Sequence, residues 1–338
     1  MTLNSIGDQA RAYALQTAST RTRTTLATLT EELATGQVAD LGQRLDGNTR
    51  ALNEIKNRIA MTHQLSQNGR EADIRLQAVQ DMFEGIRAET RDLGIALATD
   101  PFLGDPLLPD TRASDVANAL DAVVRRLNGM NSSRYLMAGE AADTVPLSSP
   151  AAMLDRLEVL TAGLTTAADV AQVISDWFDA PAGAGGFLDE AYHGTLGPAQ
   201  RVAVSDTIAV EMATTAASPA IRDLLKGLAT TAIVARGVLD GAPDQRRQLL
   251  AMGGNVMVSA DTAMLGEMGR VGQAQQTVER ALVVNGASLT TLERGRGDLL
   301  RADPMETTAA LTEVQYQLEA IYAVTARLSK LRLTEFLR

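Results

Sequence analysis

Three observations predict a mainly α fold, an elongated helical rod built from N- and C-terminal helices with a smaller mixed α/β insert. Aromatic residues make up only 3% of the chain, and helix bundles can fill a core with Ala, Leu, Val and Ile, whereas β-sandwiches and barrels lean on aromatic and β-branched side chains. Near both chain ends, apolar residues recur at alternating spacings of three and four, the pattern of a coiled-coil seam. A single segment alternates convincingly at period two. With 338 residues the chain can form two or three structural units around a substantial core.

From Ser5 to about Thr99 the pattern is helical, with Leu26, Leu29 and Leu33 on one face and Leu52, Ile55 and Ile59 on another. A break between Gly36 and Gly47 separates the two. The run Thr17 to Thr30 is rich in a poor helix former, so this helix has modest stability of its own and is expected to fray alone and order on assembly. Leu76, Val79, Phe83, Ile86, Thr90, Leu93 and Leu97 form the cleaner stripe. A helix of about 50 residues would be roughly 75 Å long, which implies a rod.

Pro101, Pro106 and Pro109 end that helix, because each restricts the residue before it and lacks an amide donor. Asp110 to about Asn128 reads as a returning helix with Val116, Leu120, Val123 and Leu127 on its apolar face. Residues 140–220 are richer in proline, and Ser149-Pro150 and Ser218-Pro219 read as a cap followed by the first residue of a helix. Val202 and Val204, then Ile208, Val210 and Met212, alternate on either side of Ser205-Asp206-Thr207, which predicts a β-hairpin with a three-residue connection. Helical spacing returns through Leu224, Leu228 and Val234 and continues from about Asp244 to Asn285, with Gly295 and Gly297 marking a loop.

The terminal helix has a defined start. Asp303 can cap it, Pro304 suits its first position, and Glu306 falls where a capping-box carboxylate reaches back. Leu311, Val314, Leu318, Ile321, Thr325 and Leu328 then form a heptad seam, and Leu331, Phe336 and Leu337 carry apolar character to the last residues. Such a seam needs a partner. The expected organisation is therefore nested: terminal helices at 1–40 and 305–338, frayed or disordered in a monomer; a helical rod from 41–139 and 221–304; and an outward-facing insert with the hairpin at 140–220, dispensable for export. The heptads of the two chain ends can close on each other.

The chemistry expected is that of a structural protein, with no catalytic, cofactor-binding or metal-binding residues. A net charge of −10 without a basic stripe argues against nucleic-acid binding. The absence of cysteine removes disulfides, thiolate catalysis and thiolate-bound metal together. His63 and His193 lie far apart and read as surface residues rather than ligands. The glycine-rich run Gly183 to Gly186 follows Pro181, not a strand, lacks the Lys-Ser or Lys-Thr of a phosphate loop and opens no obvious helix, so a flexible loop is expected. Arg294-Gly295-Arg296-Gly297 reads as a solvated connector. No stretch has the length and apolarity of a membrane span, and Met1 to Asp8 lacks the pattern of a cleavable secretory signal.

Three segments resemble one family, the bacterial hook-associated protein 3 family, which joins the flagellar hook to the filament and is related to flagellin. Leu29-Thr30-Glu31-Glu32-Leu33-Ala34-Thr35-Gly36 is similar to the family's leucine-rich N-terminal helix, a feature shared with flagellins. Arg134, Tyr135, Leu136, Met137, Ala138 and Gly139 resemble the Gly-Arg-Tyr-Leu-Phe-Ala-Gly motif that separates junction proteins from flagellins, with Ser133 in the place of glycine and Met137 in the place of an aromatic residue. Asp303 to Leu337 resembles the common C-terminal helix, with Gln315, Leu318, Ala320, Leu328, Ser329, Leu331 and the Phe336-Leu337 ending in place.

The resemblance implies an extracellular axial component of the flagellum, exported through the flagellar type III apparatus and assembled as a ring. Its implied partners are neighbouring copies of itself, a hook-side junction protein, flagellin and an export chaperone. Leu26, Leu29, Leu33, Leu311, Val314, Leu318, Ile321, Leu328, Leu331, Phe336 and Leu337 then become subunit-interface residues. The rival readings are a flagellin-like filament subunit, a cytoplasmic coiled-coil scaffold and a secreted enzyme carried on a helical rod.

Overall fold

Near its two ends the chain forms helices that pack on each other, as its two terminal heptads allow. The computed structural model describes residues 6–44, 49–99 and 108–336. Two compact units are present, one formed by Met1–Thr62 with Ala287–Arg338 and the other by His63–Gly286.

In the first unit, α1 (Ile6–Thr35) packs against α10 (Pro304–Phe336). The pair is antiparallel: Gln37 and Arg301 form an antiparallel bridge at one end, and the Arg23 guanidinium donates to the Tyr322 hydroxyl further along. Gly36 ends α1 in a left-handed conformation, φ +69°, with its amide donating to the Glu32 carbonyl, the usual αL cap. Asp303 starts α10 by accepting from the amides of Met305 (2.9 Å) and Glu306 (3.3 Å). Along α1 the hydroxyls of Thr17, Thr20, Thr22, Thr24, Thr25, Thr28 and Thr30 each donate to the carbonyl four residues earlier. These bonds satisfy the hydroxyls locally without adding to helix stability, as expected of threonine inside a helix. The short helix α2 (Leu41–Arg44) follows, and residues 50–62 of α3 (Arg50–Thr99) complete the first segment of this unit. Leu52 and Ile59 are buried there, as their spacing predicts.

The second unit is organised around α8 (Pro219–Ala232), whose residues from Leu224 to Ala232 are buried almost all round, the mark of a helix at the centre of a core. Packed with it are α4 (Leu108–Leu127), α6 (Ala167–Asp179) and a 3-10 turn at Ile233–Arg236, with α5 (Pro150–Thr161) against α4 and α6. One hydrophobic cluster joins Phe83 and Ile86 of α3, Val123 of α4, Leu157 of α5, Phe178 of α6, Phe187 of the short helix α7 (Phe187–Glu190) and Met264 of α9 (Pro243–Leu300). Residues 140–220 thus share one core with the long helices. The predicted stripe is seen: Leu76, Val79, Phe83, Ile86, Thr90 and Leu97 are buried. Between α3 and α9, Arg87 pairs with Asp261 through two hydrogen bonds of 2.6 and 3.1 Å.

Two small antiparallel sheets complete the unit. β1 (Met130–Asn131) pairs with β2 (Arg134–Tyr135), and β3 (Gln200–Ala203) pairs with β4 (Ala209–Met212) in the register Val202 opposite Val210. Both the amide of Val204 and that of Ser205 donate to the Ile208 carbonyl, which leaves Ser205 to Thr207 as the predicted three-residue connection. Ser149 caps α5 through its hydroxyl, with Pro150 at the first helical position as expected.

The structure corrects two expectations. Gly295 and Gly297 do not form a loop, because α9 runs unbroken to Leu300. Each glycine weakens a helix by about 1 kcal/mol relative to alanine, which is too little to break one flanked by Leu292, Glu293, Leu299 and Leu300. The chain turns instead at Arg301 to Asp303. The Gly183 to Gly186 segment does lead into a helix, the single turn of α7, and it is held: the Asp189 carboxylate accepts from the amides of Gly183 and Gly185 at 2.8 to 2.9 Å. The loop expected to be flexible is tied down by the chain's own carboxylate.

Candidate assembly surface and the Arg134 to Gly139 turn

The terminal seam is used inside the chain. Leu311, Val314, Leu318 and Ile321 are half-buried on α10, and Leu26 and Leu29 are half-buried on α1, so each helix covers part of the other's apolar stripe. Leu33 and Leu328 remain exposed at 43% and 36%. Leu337 and the side chains of Leu331 and Phe336 lie outside the described residues. A second apolar set was not foreseen in the sequence. Met305 and Tyr316 are about three turns apart on the face of α10 opposite the seam, and both are largely exposed, as is Tyr13 of α1. Between them that face carries only Ala309 and Thr312, so no continuous stripe of large apolar residues singles them out in the sequence.

The Arg134 to Gly139 segment forms a structural hub of the second unit. It is reached through a two-residue turn in which Ser132 and Ser133 have φ of 49° and 67°. Positive φ at both central positions is the type I′ arrangement that matches strand twist, and it favours asparagine and glycine. Glycine is the residue this backbone suits at position 133, where the chain carries serine. Beyond the turn, Leu136, Met137 and Ala138 are buried. The Met137 carbonyl accepts from the Ala216 amide and the Ala138 carbonyl from the Thr195 amide, both at 3.0 Å. Gly139 has φ +69°, and a Cβ there would stand 3.0 Å from the Thr195 carbonyl oxygen. These residues tie α4 to the segment before α8 through backbone bonds, while Arg134 stays exposed and Tyr135 half-exposed.

Beside the turn the structure brings in a residue that the sequence did not mark. Arg75 of α3 donates to the Gln200 side chain at 2.6 Å. Burial, and secondarily the charge of Arg134, lower the pKa of its guanidinium from the ordinary value. Arg75 sits one position before Leu76 of the apolar stripe, and no local spacing connects it with Arg134.

Elsewhere the Glu190 carboxylate is engaged in structure. Burial pushes the Glu190 carboxyl up, but hydrogen bonds from Arg156 and the Trp177 indole outweigh it and hold the group below its usual range. Ser148 Oγ lies 2.8 Å from His193 Nε2, among the described residues the one arrangement that suggests an activated nucleophile. Among the described residues no carboxylate bonds to the other ring nitrogen of His193, so the orienting partner of such a pair is missing. The contact accompanies the bridge between Leu147 and Tyr192. Among the described residues no group of three or more His, Cys, Asp or Glu could hold a metal, and no helix is long and apolar enough to cross a membrane.

No protein-family model matches the chain, and no curated protein does. Among solved structures, one described as "Structure of putative flagellar hook-associated protein from Vibrio parahaemolyticus" is similar at 12% identity and a TM-score of 0.43, over 76% of this chain and 95% of that one.

Proposed function

We propose that this chain is a non-enzymatic structural subunit of the bacterial flagellum, an adaptor that joins hook to filament. It is exported by the flagellar type III apparatus and assembled as a ring outside the cell. Its neighbours are copies of itself, a hook-side junction protein and flagellin, and an export chaperone attends it before assembly. The observation that supports this reading best is the α1–α10 pair. Two long helices from opposite chain ends cover each other's seams only in part and leave Tyr13, Met305 and Tyr316 exposed. Large apolar side chains left in water on a helix pair suit further helical neighbours. The second reading, a flagellin-like filament subunit, shares this surface. The Arg134 to Gly139 resemblance favours the junction role.

Deletion of the gene followed by electron microscopy tests the proposal, with hooks that lack filaments as the expected outcome. Normal filaments on the deletion strain would overturn it. Hooks and filaments lost together would point elsewhere in the flagellum, and a protein copy number comparable to that of the filament subunit would favour the second reading. In the same strain, Tyr316→Asp is expected to be produced and exported but to abolish filament attachment, since a carboxylate cannot be desolvated cheaply in an apolar contact. Leu318→Asp is expected to loosen the α1–α10 pair itself, seen as lost helicity in the isolated protein.

A further inference from the structure

The second unit carries a cleft of about 370 Å³ between α3, the β1–β2 turn and the β3–β4 hairpin. Its apolar wall includes Leu136, Val202 and Met212, and Arg75 and Arg134 both line it. We propose that this cleft binds a carboxylate carried on a short apolar stem, with the carboxylate between the two guanidiniums and the stem against Leu136, Val202 and Met212.

The two arginines are distinguished by sharing one cleft, since Arg70 and Arg91 of the same unit also lack a carboxylate partner among the described residues. In the same unit Arg87, Arg126, Arg156, Arg236 and Arg246 all pair with carboxylates. Neither Arg75 nor Arg134 has an ion-pair partner among the described residues. Glu71 also lines the cleft, yet it accepts from the Gln67 amide at 3.3 Å and pairs with neither. A guanidinium has five donors, and Arg75 is seen to use one, toward Gln200. Two like charges at one cleft repel each other, and an anion between them turns that repulsion into attraction. The planar guanidinium suits a carboxylate or a phosphate equally. The apolar wall decides between them, because a strongly hydrated phosphate gains nothing from Leu136 or Val202, whereas a hydrocarbon stem does. Against a net charge of −10 over the whole chain, the site is a local cationic exception.

The full chain, labelled with ¹³C at its methionine methyls, provides the test at neutral pH. Hexanoate should shift the Met212 methyl signal saturably and leave Met153, which is buried outside this cleft, unmoved. Arg134→Gln changes an exposed side chain and should weaken hexanoate binding at least tenfold with the other methionine signals in place. No saturable shift, undiminished binding to Arg134→Gln, or 1-hexanol or inorganic phosphate binding as tightly as hexanoate would each overturn the proposal. A capped tripeptide with a central glutamate between leucines distinguishes the sources of the group. Tenfold tighter binding of the peptide than of hexanoate assigns the carboxylate to a polypeptide partner, and the reverse order assigns it to a free organic acid, both upholding the site.

Discussion

Ser133 holds a left-handed backbone without being glycine, with φ at 67°. An L side chain in that region costs about 1–2 kcal/mol, while a glycine adds about 0.4–1 kcal/mol of unfolded-state entropy to be lost on folding. The first effect is the larger. Ser133→Gly should therefore stabilise the protein by about 0.5–1 kcal/mol, read as a higher urea midpoint with unchanged slope. Ser133→Val should lower the midpoint. Asp189 gives a second prediction at this scale. Backbone hydrogen bonds, from Gly183 first and then Gly185, hold its carboxyl below the usual range. Its stabilising effect is thus fully present above the unfolded value of about 3.9 and is lost as pH falls through the lower folded value. The stability gap between wild type and Asp189→Asn should be complete at about pH 6 and narrow in acid below about pH 4. A gap independent of pH would assign the effect to shape and not to charge. The glycine-rich run was legible in the sequence only as a flexible loop. The carboxylate that fills it, six residues after Gly183, was not, because nothing in sequence spacing says which way a carboxylate will turn.

Helices were the most legible elements, since three-four spacing is a direct record of which face is buried. It located the stripe of α3, the apolar face of α4 and the seam of α10. Proline punctuation located α5 and α8, and period-two alternation located β3 and β4. Glycine misled at the end of α9, because composition records a local cost while the helix is set by the balance over many residues. The two kinds of helical glycine can be separated by experiment. At Gly254 an added Cβ would stand 2.6 Å from the Leu97 Cβ and 2.7 Å from the Ala98 amide nitrogen, so α9 and α3 approach through this position. At Gly297 nothing lies within 4 Å. Gly254→Ala should destabilise by about 1–3 kcal/mol through overpacking. Gly297→Ala should stabilise by about 0.5–1 kcal/mol, as expected in an open helical position. Thermal unfolding of the two variants measures both, and a loss of stability at Gly297 would restore the loop.

At the scale of the molecule, burial is unevenly shared. The second unit encloses Phe83, Phe178, Phe187 and Leu228 completely, whereas the α1–α10 seam is covered only in part. Opening free energies follow buried contact density. Amide exchange should accordingly be fastest in α1 and α10 and slowest in α8, and equal protection throughout would contradict the division into units. Deleting residues 143–218 would remove Leu157, Ile174, Trp177, Phe178 and Phe187 from the common core. That variant is expected to be insoluble or unfolded by circular dichroism, against the dispensability that composition suggests. Proline and glycine content gave the region the look of a separate insert. What composition cannot convey is that short helices with buried aromatic residues, once folded, share a core with neighbours distant in sequence.

The antiparallel course of α1 and α10 has a mechanical consequence. The Ile6 end of one helix and the Phe336 end of the other lie at the same end of the pair, remote from the Gln37–Arg301 bridge. Tension applied across those two ends does not slide the helices past each other, which would load every contact of the seam together. It peels them apart a turn at a time, beyond the Arg23–Tyr322 contact first and at the bridge last, so the resisting force at any moment is that of a single half-covered layer. A chain drawn out lengthwise from its ends would surrender this pair at low load, and on release the bridge end would serve as the hinge from which the two helices close again.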